Sequence, residues 1–373
     1  MGLLQKVPRK AWSFLNIINR LIKKDKESIL IYSNLGYRDN IRAIFEYLID
    51  NNYNNEYKII LSLDNYEYLN RLNMPNIKFV SNVKGLFRFF RCKYCFYCFG
   101  KYPVKPSRDQ IVFNLWHGMP LKRVGNMVKG YEKVDYNYFT HILCTSEFFR
   151  DIMKKSFNCD DSSIVICGQP RTDAMLHDLP PVKGREIKGR LLGFDRRKTK
   201  IILWLPTYRE NNANELDILS KVQLEKLNEM CINKNHAVLI KPHPLSSLNT
   251  NDFKEYKSIK IITDERLEYL GINFYSVIRY SECLITDYSS VYFDYMLLDK
   301  PIGFAVSDIS EYDNERGFVF DNPMDYMPGD IIKNGDDFLE FIKDVIDRKD
   351  NYKEQRRILC KTFNKYNDDQ NCK

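Results

Sequence analysis

The chain has 373 residues, 44% of them hydrophobic and 28% charged, and its Lys and Arg (57) outnumber Asp and Glu (49) to give a net charge of +8. That length and balance suit two globular domains and exclude a disordered chain or a small disulfide-stapled one. The positive excess implies an anionic partner, whether nucleic acid, phospholipid or a phosphorylated substrate, and no apolar run approaches the ~20 residues needed to span a bilayer.

The N-terminal stretch carries Lys6, Arg9, Lys10, Arg20, Lys23, Lys24 and Lys26 against a single acid, Asp25. Ala11, Phe14, Leu15, Ile18, Leu21 and Ile22 recur at helical spacing, flanked by Trp12 and Ile17. Residues 1–28 therefore read as a basic amphipathic segment that either lies in a membrane interface or packs on its own domain. Ser13, Asn16, Asn19 and Arg20 interrupt the run too often for a secretory signal, so the cytoplasm is the expected compartment.

Short β-branched runs follow at Ile29–Ser33, Lys58–Leu63, Ile77–Val80, Cys95–Phe99, Ile111–Trp116, Ile142–Thr145 and Ile164–Cys167, separated by helical stretches. Continuous apolar strands alternating with helices indicate a parallel sheet covered on both faces. Between them, Lys84 to Arg108 holds seven basic residues and no acid, interleaved with Phe87, Phe89, Phe90 and Tyr94. Such a stretch can sit on lipid headgroups or single-stranded nucleic acid, or be a solvated helix face leading into a buried strand. Cys92, Cys95 and Cys98 lie there without an adjacent fourth ligand and read as a strand rather than a metal site. A break rich in Pro, Gly and basic residues runs from Asp178 to Lys200. The alternation then resumes with Ile201–Leu205, Ala237–Lys241, Lys260–Thr263, Cys283–Thr286 and Ile302–Val306. The chain thus divides into a domain at 29–180, a linker at 181–199 and a domain at 200–373, with a helix over Phe338–Ile346 and a frayed polar tail from Asn364.

Of the five histidines, His141, His177 and His236 read as structural or solvated, whereas His117 and His243 end apolar strands. His117 opens the turn GMPLK, and His243 stands between Pro242 and Pro244. In open α/β sheets the loops at strand C-terminal ends line the ligand crevice, and a positioned imidazole there can take a proton or hold a phosphate. Three further segments suit phosphate: Gly168–Asp173, Leu205–Arg209 and Thr286–Ser290, the last with Ser289 or Ser290 at a helix start. There is no P-loop, no G-x-G-x-x-G after the first strand, no Asp-x-Asp pair and no G-x-S-x-G elbow. Charge neutralisation therefore falls to Arg, Lys, His and helix ends.

Trp116-His-Gly-Met-Pro-Leu-Lys122 with Gly125, Gly168-Gln-Pro-Arg-Thr-Asp173, Pro206-Thr-Tyr-Arg209, Lys241-Pro-His-Pro244, Thr286-Asp-Tyr-Ser-Ser290 with Phe293-Asp294, Lys300-Pro301 and Arg316-Gly317 stand in one order along residues 29–330. Together they strongly resemble the CDP-glycerol glycerophosphotransferase family of teichoic acid synthesis. The resemblance implies an α/β protein of GT-B architecture, with two Rossmann-like parallel-sheet domains facing a central cleft. It also implies a peripheral enzyme of the cytoplasmic membrane face, compact like the priming members. The implied reaction is attack by a hydroxyl of a polyprenyl-diphosphate-linked acceptor on a CDP-polyol, most simply CDP-glycerol, with release of CMP. In that reaction His117 is the implied base. His243, Arg209, Thr207, Ser289 and Ser290 would hold the donor diphosphate, Asp287 would bond the nucleoside or orient His243, and Arg316 would reach in from the following loop. Trp116, Gly118, Lys122, Arg171 and Asp173 fall on the acceptor side. No metal site or required cofactor is implied beyond a loosely bound Mg²⁺, and the implied partners are the anionic membrane surface and no nucleic acid. The alternative is a GT-B glycosyltransferase using a nucleotide sugar.

Overall fold

The computed structural model describes residues 9–178, 180–207, 216, 218–243, 246, 248 and 250–373. The described residues up to Met119, with Val124–Asp173 and Gln370–Lys373, form one compact unit; Pro120–Arg123 and the described residues from Ala174 to Asp369 form a second.

In unit 1, β1 (Asp25–Ser33), β2 (Lys58–Leu63), β3 (Ile77–Val80), β4 (Cys92–Tyr97), β5 (Ile111–Asn114), β6 (His141–Cys144) and β7 (Ile164–Ile166) form a seven-stranded sheet ordered β3-β2-β1-β4-β5-β6-β7. Every pairing is parallel. A parallel strand is buried on both faces, so its residues must be apolar throughout; from Ser28 to Ser33 all six positions of β1 are buried. The cover comes from α2 (Asp39–Asp50), α3 (Asn82–Phe89) and α4 (Glu147–Phe157), and α1 (Arg9–Leu21) precedes β1. Helix α2 buries Ile41, Ile44, Phe45 and Leu48, spaced to form one stripe.

Helix α1 turns part of its apolar stripe outward and leaves Leu15 and Ile18 half-buried. Its apolar residues Phe14, Ile17 and Leu21 are 63%, 56% and 80% exposed. Its polar residues hold it to the unit: buried Asn19 donates to the Lys105 carbonyl (2.9 Å) and to Gln110 Oε1 (2.7 Å), and Asn16 Oδ1 accepts from the Lys105 amide (2.7 Å). The chain just beyond is fixed by Lys24, whose buried ammonium donates to Asn19 and to the Phe90 carbonyl. Burial pushes the Lys24 pKa down to about 8.

In unit 2, β8 (Lys200–Leu205), β9 (His236–Ile240), β10 (Ile259–Ile261), β11 (Ser281–Thr286), β12 (Ile302–Ala305) and β13 (Asp330–Ile332) form a six-stranded parallel sheet ordered β10-β9-β8-β11-β12-β13. Its helices are α5 (Asp173–Leu176, entering from unit 1), α6 (Pro181–Leu192), α7 (Lys221–Asn233), α8 (Asp264–Tyr269), α9 (Phe274–Arg279), α10 (Val291–Tyr295), α11 (Ile309–Glu315), α12 (Gly335–Ile346) and α13 (Lys353–Phe363). Ile202, Trp204, Val238 and Ile240 of the sheet pack with Leu227 of α7 and with Phe338 and Phe341 of α12 in one core, the Trp204 and Phe338 rings 4.8 Å apart.

The two sheets share a topology. The chain builds outward from β1 to β3 and returns with β4 beside β1; it does the same from β8 to β10 and returns with β11. Each reversal is a topological switch point, where the loops at the strand ends separate and leave room for a ligand.

Three expectations change. Residues 181–199 are not a loose linker: they hold α6, opened by Pro181 at a first-turn position that tolerates its missing N–H, and a 3₁₀ turn at Phe194–Arg196. The step between units falls at Asp173–Ala174. The tail is fastened, since buried Asn364 donates to the Phe293 carbonyl and Asn371 to Thr172 and Asp173. Strand β13 has only three residues, two of them half-buried, which leaves too weak an apolar run to read.

Arg356 of α13 is wholly buried and paired to Asp299 (3.3 Å) and Asp350 (2.6 Å). Removing one side of a buried pair strands the other, so Arg356→Ala is expected to lower unfolding free energy by about 3–5 kcal/mol in a denaturant titration.

Candidate active site

The loop that leaves β5 is the most constrained segment of unit 1. Trp116 adopts φ +50°, a left-handed conformation costly for a large side chain, of order 1–3 kcal/mol. Its indole Nε1 is buried with no hydrogen-bond partner. What holds it is a set of buried polar groups at the start of α2. Fully buried Asn40 donates from Nδ2 to the carbonyls of Leu115 (3.2 Å) and Trp116 (3.0 Å) and to Gln169 Oε1 (2.6 Å), and its Oδ1 accepts from the Arg171 amide (3.0 Å). Cys98 Sγ also donates to the Trp116 carbonyl (2.7 Å).

This arrangement places His117. Its imidazole stacks on Phe99, the centroids 4.9 Å apart and the planes nearly parallel (14°), and meets the tilted Trp116 ring at 3.9 Å (30°). Its carbonyl accepts from Arg171 Nη1 (3.0 Å). Gly118 follows at φ +121°, where a side chain would be strained, so the chain can turn sharply behind the histidine. Gly125 is required by space: a Cβ there would lie 1.9 Å from the Ser156 carbonyl oxygen.

Two residues expected on the acceptor side serve this scaffold. The buried Arg171 guanidinium pairs with Asp39 (2.8 Å) at the head of α2. Asp173 accepts from the backbone of Asn371 (3.0 Å) and Cys372 (2.9 Å), and burial pushes its carboxyl up from the ordinary range. Lys122 belongs to unit 2, where its segment bridges Phe318 in antiparallel fashion and Val319 donates to the Leu121 carbonyl (2.9 Å).

In unit 2 the functional candidates gather at the ends of β8, β9 and β11. Buried Asp287, just past β11, accepts from the amide (2.9 Å) and hydroxyl of Thr207, just past the neighbouring β8. That pair ties the two loops of the switch point together, so the Asp287 carboxylate is a brace here. Lys122 Nζ donates to Tyr312 Oη (3.1 Å), and the Tyr312 ring stacks on buried Tyr288 (4.1 Å), whose hydroxyl donates to Asp308 (2.8 Å). His243 lies three residues past the end of β9 and stays exposed to solvent. The protein packed beside the ring, with Lys122 and Lys241, pushes its pKa below the ordinary value while Asp264 opposes the shift. Asp264 is itself paired to Lys241 (2.9 Å).

Ser289 and Ser290 are half-buried before α10. Ser289 Oγ accepts from the Val291 amide (3.4 Å), and Ser290 makes no side-chain cap. With only five residues before a 3₁₀ turn, α10 adds little dipole. Arg316 is exposed, one residue before the strip that pairs with Leu121–Arg123. Arg209 lies outside the described residues. Asp294, bonded by Tyr275 Oη (2.7 Å), and Lys300, donating to the Arg279 and Ser281 carbonyls (both 2.6 Å), are internal braces. Asp39, Asn40 and Phe99 escaped the sequence reading. A polar Asp-Asn pair beginning a helix just after the first strand was the available signal.

Two parallel-sheet α/β units with candidate groups at the strand ends are a GT-B-type architecture. The wall teichoic acid polymerase TagF has the same fold, with a TM-score of 0.75 at 20% identity over 98% of this chain and 90% of that one. The family of CDP-glycerol:poly(glycerophosphate) glycerophosphotransferases matches residues 13–373, and the chain belongs to it. It is 29% identical to the teichoic acid poly(glycerol phosphate) polymerase of Bacillus spizizenii, over 94% of this chain and 90% of the relative. It is 23% identical to the teichoic acid glycerol-phosphate transferase of Staphylococcus aureus, over 96% and 93%.

Two outcomes follow from this geometry. Asn40→Ala removes the bonds that seat Trp116, and the displacement of His117 is expected to lower kcat roughly 10²-fold with donor affinity kept, as read by single-turnover kinetics beside a donor-binding titration. In an NMR pH titration His243 is expected to titrate below the ordinary histidine range. Lys122→Ala, which removes a like charge, is expected to move that titration upward.

Proposed function

We propose that the chain transfers glycerol phosphate, or a related polyol phosphate, from CDP-glycerol or another CDP-polyol to a hydroxyl of a polyprenyl-diphosphate-linked acceptor in teichoic acid synthesis, releasing CMP. The observation that carries this reading is the placement of His117 on a buried scaffold, in a chain that matches the glycerophosphotransferase family from residue 13 to its end. A variant of the related polymerase TagF has been solved after a CDPG soak, which supports the choice of donor.

Phosphoryl transfer needs an in-line nucleophile, a base for its proton and positive groups around the spreading oxygen charge. His117 takes the acceptor proton, and its contacts with the Phe99 and Trp116 rings restrain the imidazole. Lys122, Lys241, Arg209 and Arg316 supply positive charge to the donor phosphates, with Ser289 and Ser290 as hydroxyl donors, while the Thr207 hydroxyl is given to Asp287. His243, favoured neutral before the donor arrives, offers one N–H to a phosphate oxygen. Protein cations suffice for the diphosphate, so Mg²⁺ has at most an escorting role.

No helix among the described residues is long and apolar enough to cross a membrane. We place the protein on the cytoplasmic membrane face as a peripheral enzyme, held through the outward apolar residues of α1 and the basic groups near it.

His117→Ala is expected to lower kcat by roughly 10²–10⁴ while CDP-glycerol binding persists. Transfer of radiolabel from CDP-glycerol to a lipid-diphosphate acceptor measures it, and near-wild-type turnover would exclude His117 as the base. In the same assay activity is expected to persist in chelator; complete loss restored by metal would contradict the cation-only donor site. Transfer from a nucleotide sugar in place of CDP-glycerol would replace the reading with glycosyl transfer.

A further inference from the structure

The edge of the unit 1 sheet opposite His117, where β1, β2, β3 and β4 begin, opens into a groove of about 1020 Å³. Its lining includes the exposed side chains of Lys23, Lys26, Lys58, Lys78, Arg88 and Arg91. The one acid in the lining is Asp25, which pairs with Lys58 (3.4 Å). Among the described residues, no carboxylate lies within ion-pair distance of the other five. The lining thus gathers six exposed cations, of which Lys58 alone is paired, to Asp25 and to Glu27 (4.0 Å), and a concave basic surface of this kind attracts anions.

The groove lies between two apolar faces. The chain leaving helix α1 lines it with Ile22 and Lys23, and the helix displays Phe14, Ile17 and Leu21 to the outside. Helix α3 contributes Arg88 to the lining and displays Val83 and Phe87, 43% and 69% exposed. The bonds of Lys24 to Asn19 and Phe90 fix the chain that follows α1 to the end of α3. A soluble phosphate would satisfy the cations and leave both apolar faces in water. A phospholipid satisfies both, headgroup phosphate in the groove and acyl chains against the helices.

We infer that this groove is a headgroup site for anionic phospholipid. It rests on the membrane-surface part of the proposed function and adds to it a defined site on this chain. The full-length protein is sedimented with phosphatidylcholine vesicles and with vesicles that also contain phosphatidylglycerol. Wild type is compared with Lys78→Gln/Arg91→Gln and with Phe14→Ser/Leu21→Ser. Phosphatidylglycerol is expected to raise wild-type partitioning, and the groove variant to lose about 25-fold of that gain, roughly fivefold for each charge. The apolar variant is expected to bind both kinds of vesicle more weakly. All four substituted residues are exposed, and an unchanged melting temperature confirms that the variants fold.

Wild-type dependence on phosphatidylglycerol in the groove variant would overturn the groove and leave membrane attachment standing. Release of the protein from vesicles by soluble glycerol phosphate, at a phosphate concentration matching the lipid, would make the groove a free-phosphate site and overturn the lipid assignment. A wild type indifferent to either vesicle would overturn the surface reading and the groove with it.

Discussion

The ion pair between Asp39 and Arg171 is the constraint around which unit 1 is arranged. Both side chains are largely withdrawn from water, and neither would remain charged there without compensation. The compensation is specific: Arg171 also donates to the His117 carbonyl, and Asn40 accepts from the Arg171 amide. These contacts join the loops that follow β1, β5 and β7, which are far apart in sequence. A hydrophobic cluster of the same volume could be as stable, but it would not dictate which carbonyl points where. Here each carbonyl has an assigned donor, and the left-handed turn at Trp116 is the result. The strain is local, and it leaves the imidazole against the Phe99 and Trp116 rings at the end of the sheet.

In unit 2 the corresponding constraint is the bond between Thr207 and Asp287 across the β8–β11 switch point. The shared topology accounts for the difference in task. At each switch point two neighbouring loops diverge, and something polar must close the gap behind whatever binds there. Unit 1 closes it with an ion pair and an amide, unit 2 with a carboxylate and a hydroxyl. In unit 2 the acid, Asp287, reads as a ligand group from the sequence, whereas in unit 1 it is the partner of Asp39, Arg171, that reads so; each holds loops. Among the described candidate residues of unit 2, Arg316 is exposed and Ser289 and Ser290 are half-buried.

The strands were legible because a parallel sheet demands unbroken apolar runs; Lys58–Leu63 and Ile77–Val80 match their expected limits residue for residue. Strand ends elsewhere shift by a few positions, as at β4, which begins at Cys92 and not Cys95. Both strand-end histidines were legible for the same reason. The roles of Arg171, Asp173 and Lys122 were not, because a charged residue in a motif reads alike whether it faces a ligand or a buried partner. Helix α1 shows the limit most clearly. Its apolar stripe was visible, and the usual inference packs such a stripe inward. Asn16 and Asn19 turn part of it outward, because their amides find carbonyl and amide partners at Lys105 and Gln110 that no local pattern reveals.

His243 illustrates how a site can be tuned for a ligand by discomfort without it. Packing against the ring and two nearby lysines disfavour the imidazolium, while Asp264 is partly spent on Lys241. On the proposed reading, a diphosphate brings negative charge among those lysines and reverses the sign of the local field. The same imidazole then gains a reason to hold a proton, so donor binding and proton uptake are linked. The free protein keeps the ring neutral, which limits self-repulsion among Lys122, Lys241 and His243. The donor complex can use it as a third cation. A permanently charged guanidinium in the same place would bind phosphate more firmly but would add its repulsion to the empty site. It would also lack a proton that departs as the nucleotide product leaves. A histidine between two lysines therefore suits a site that must fill and empty on every turnover.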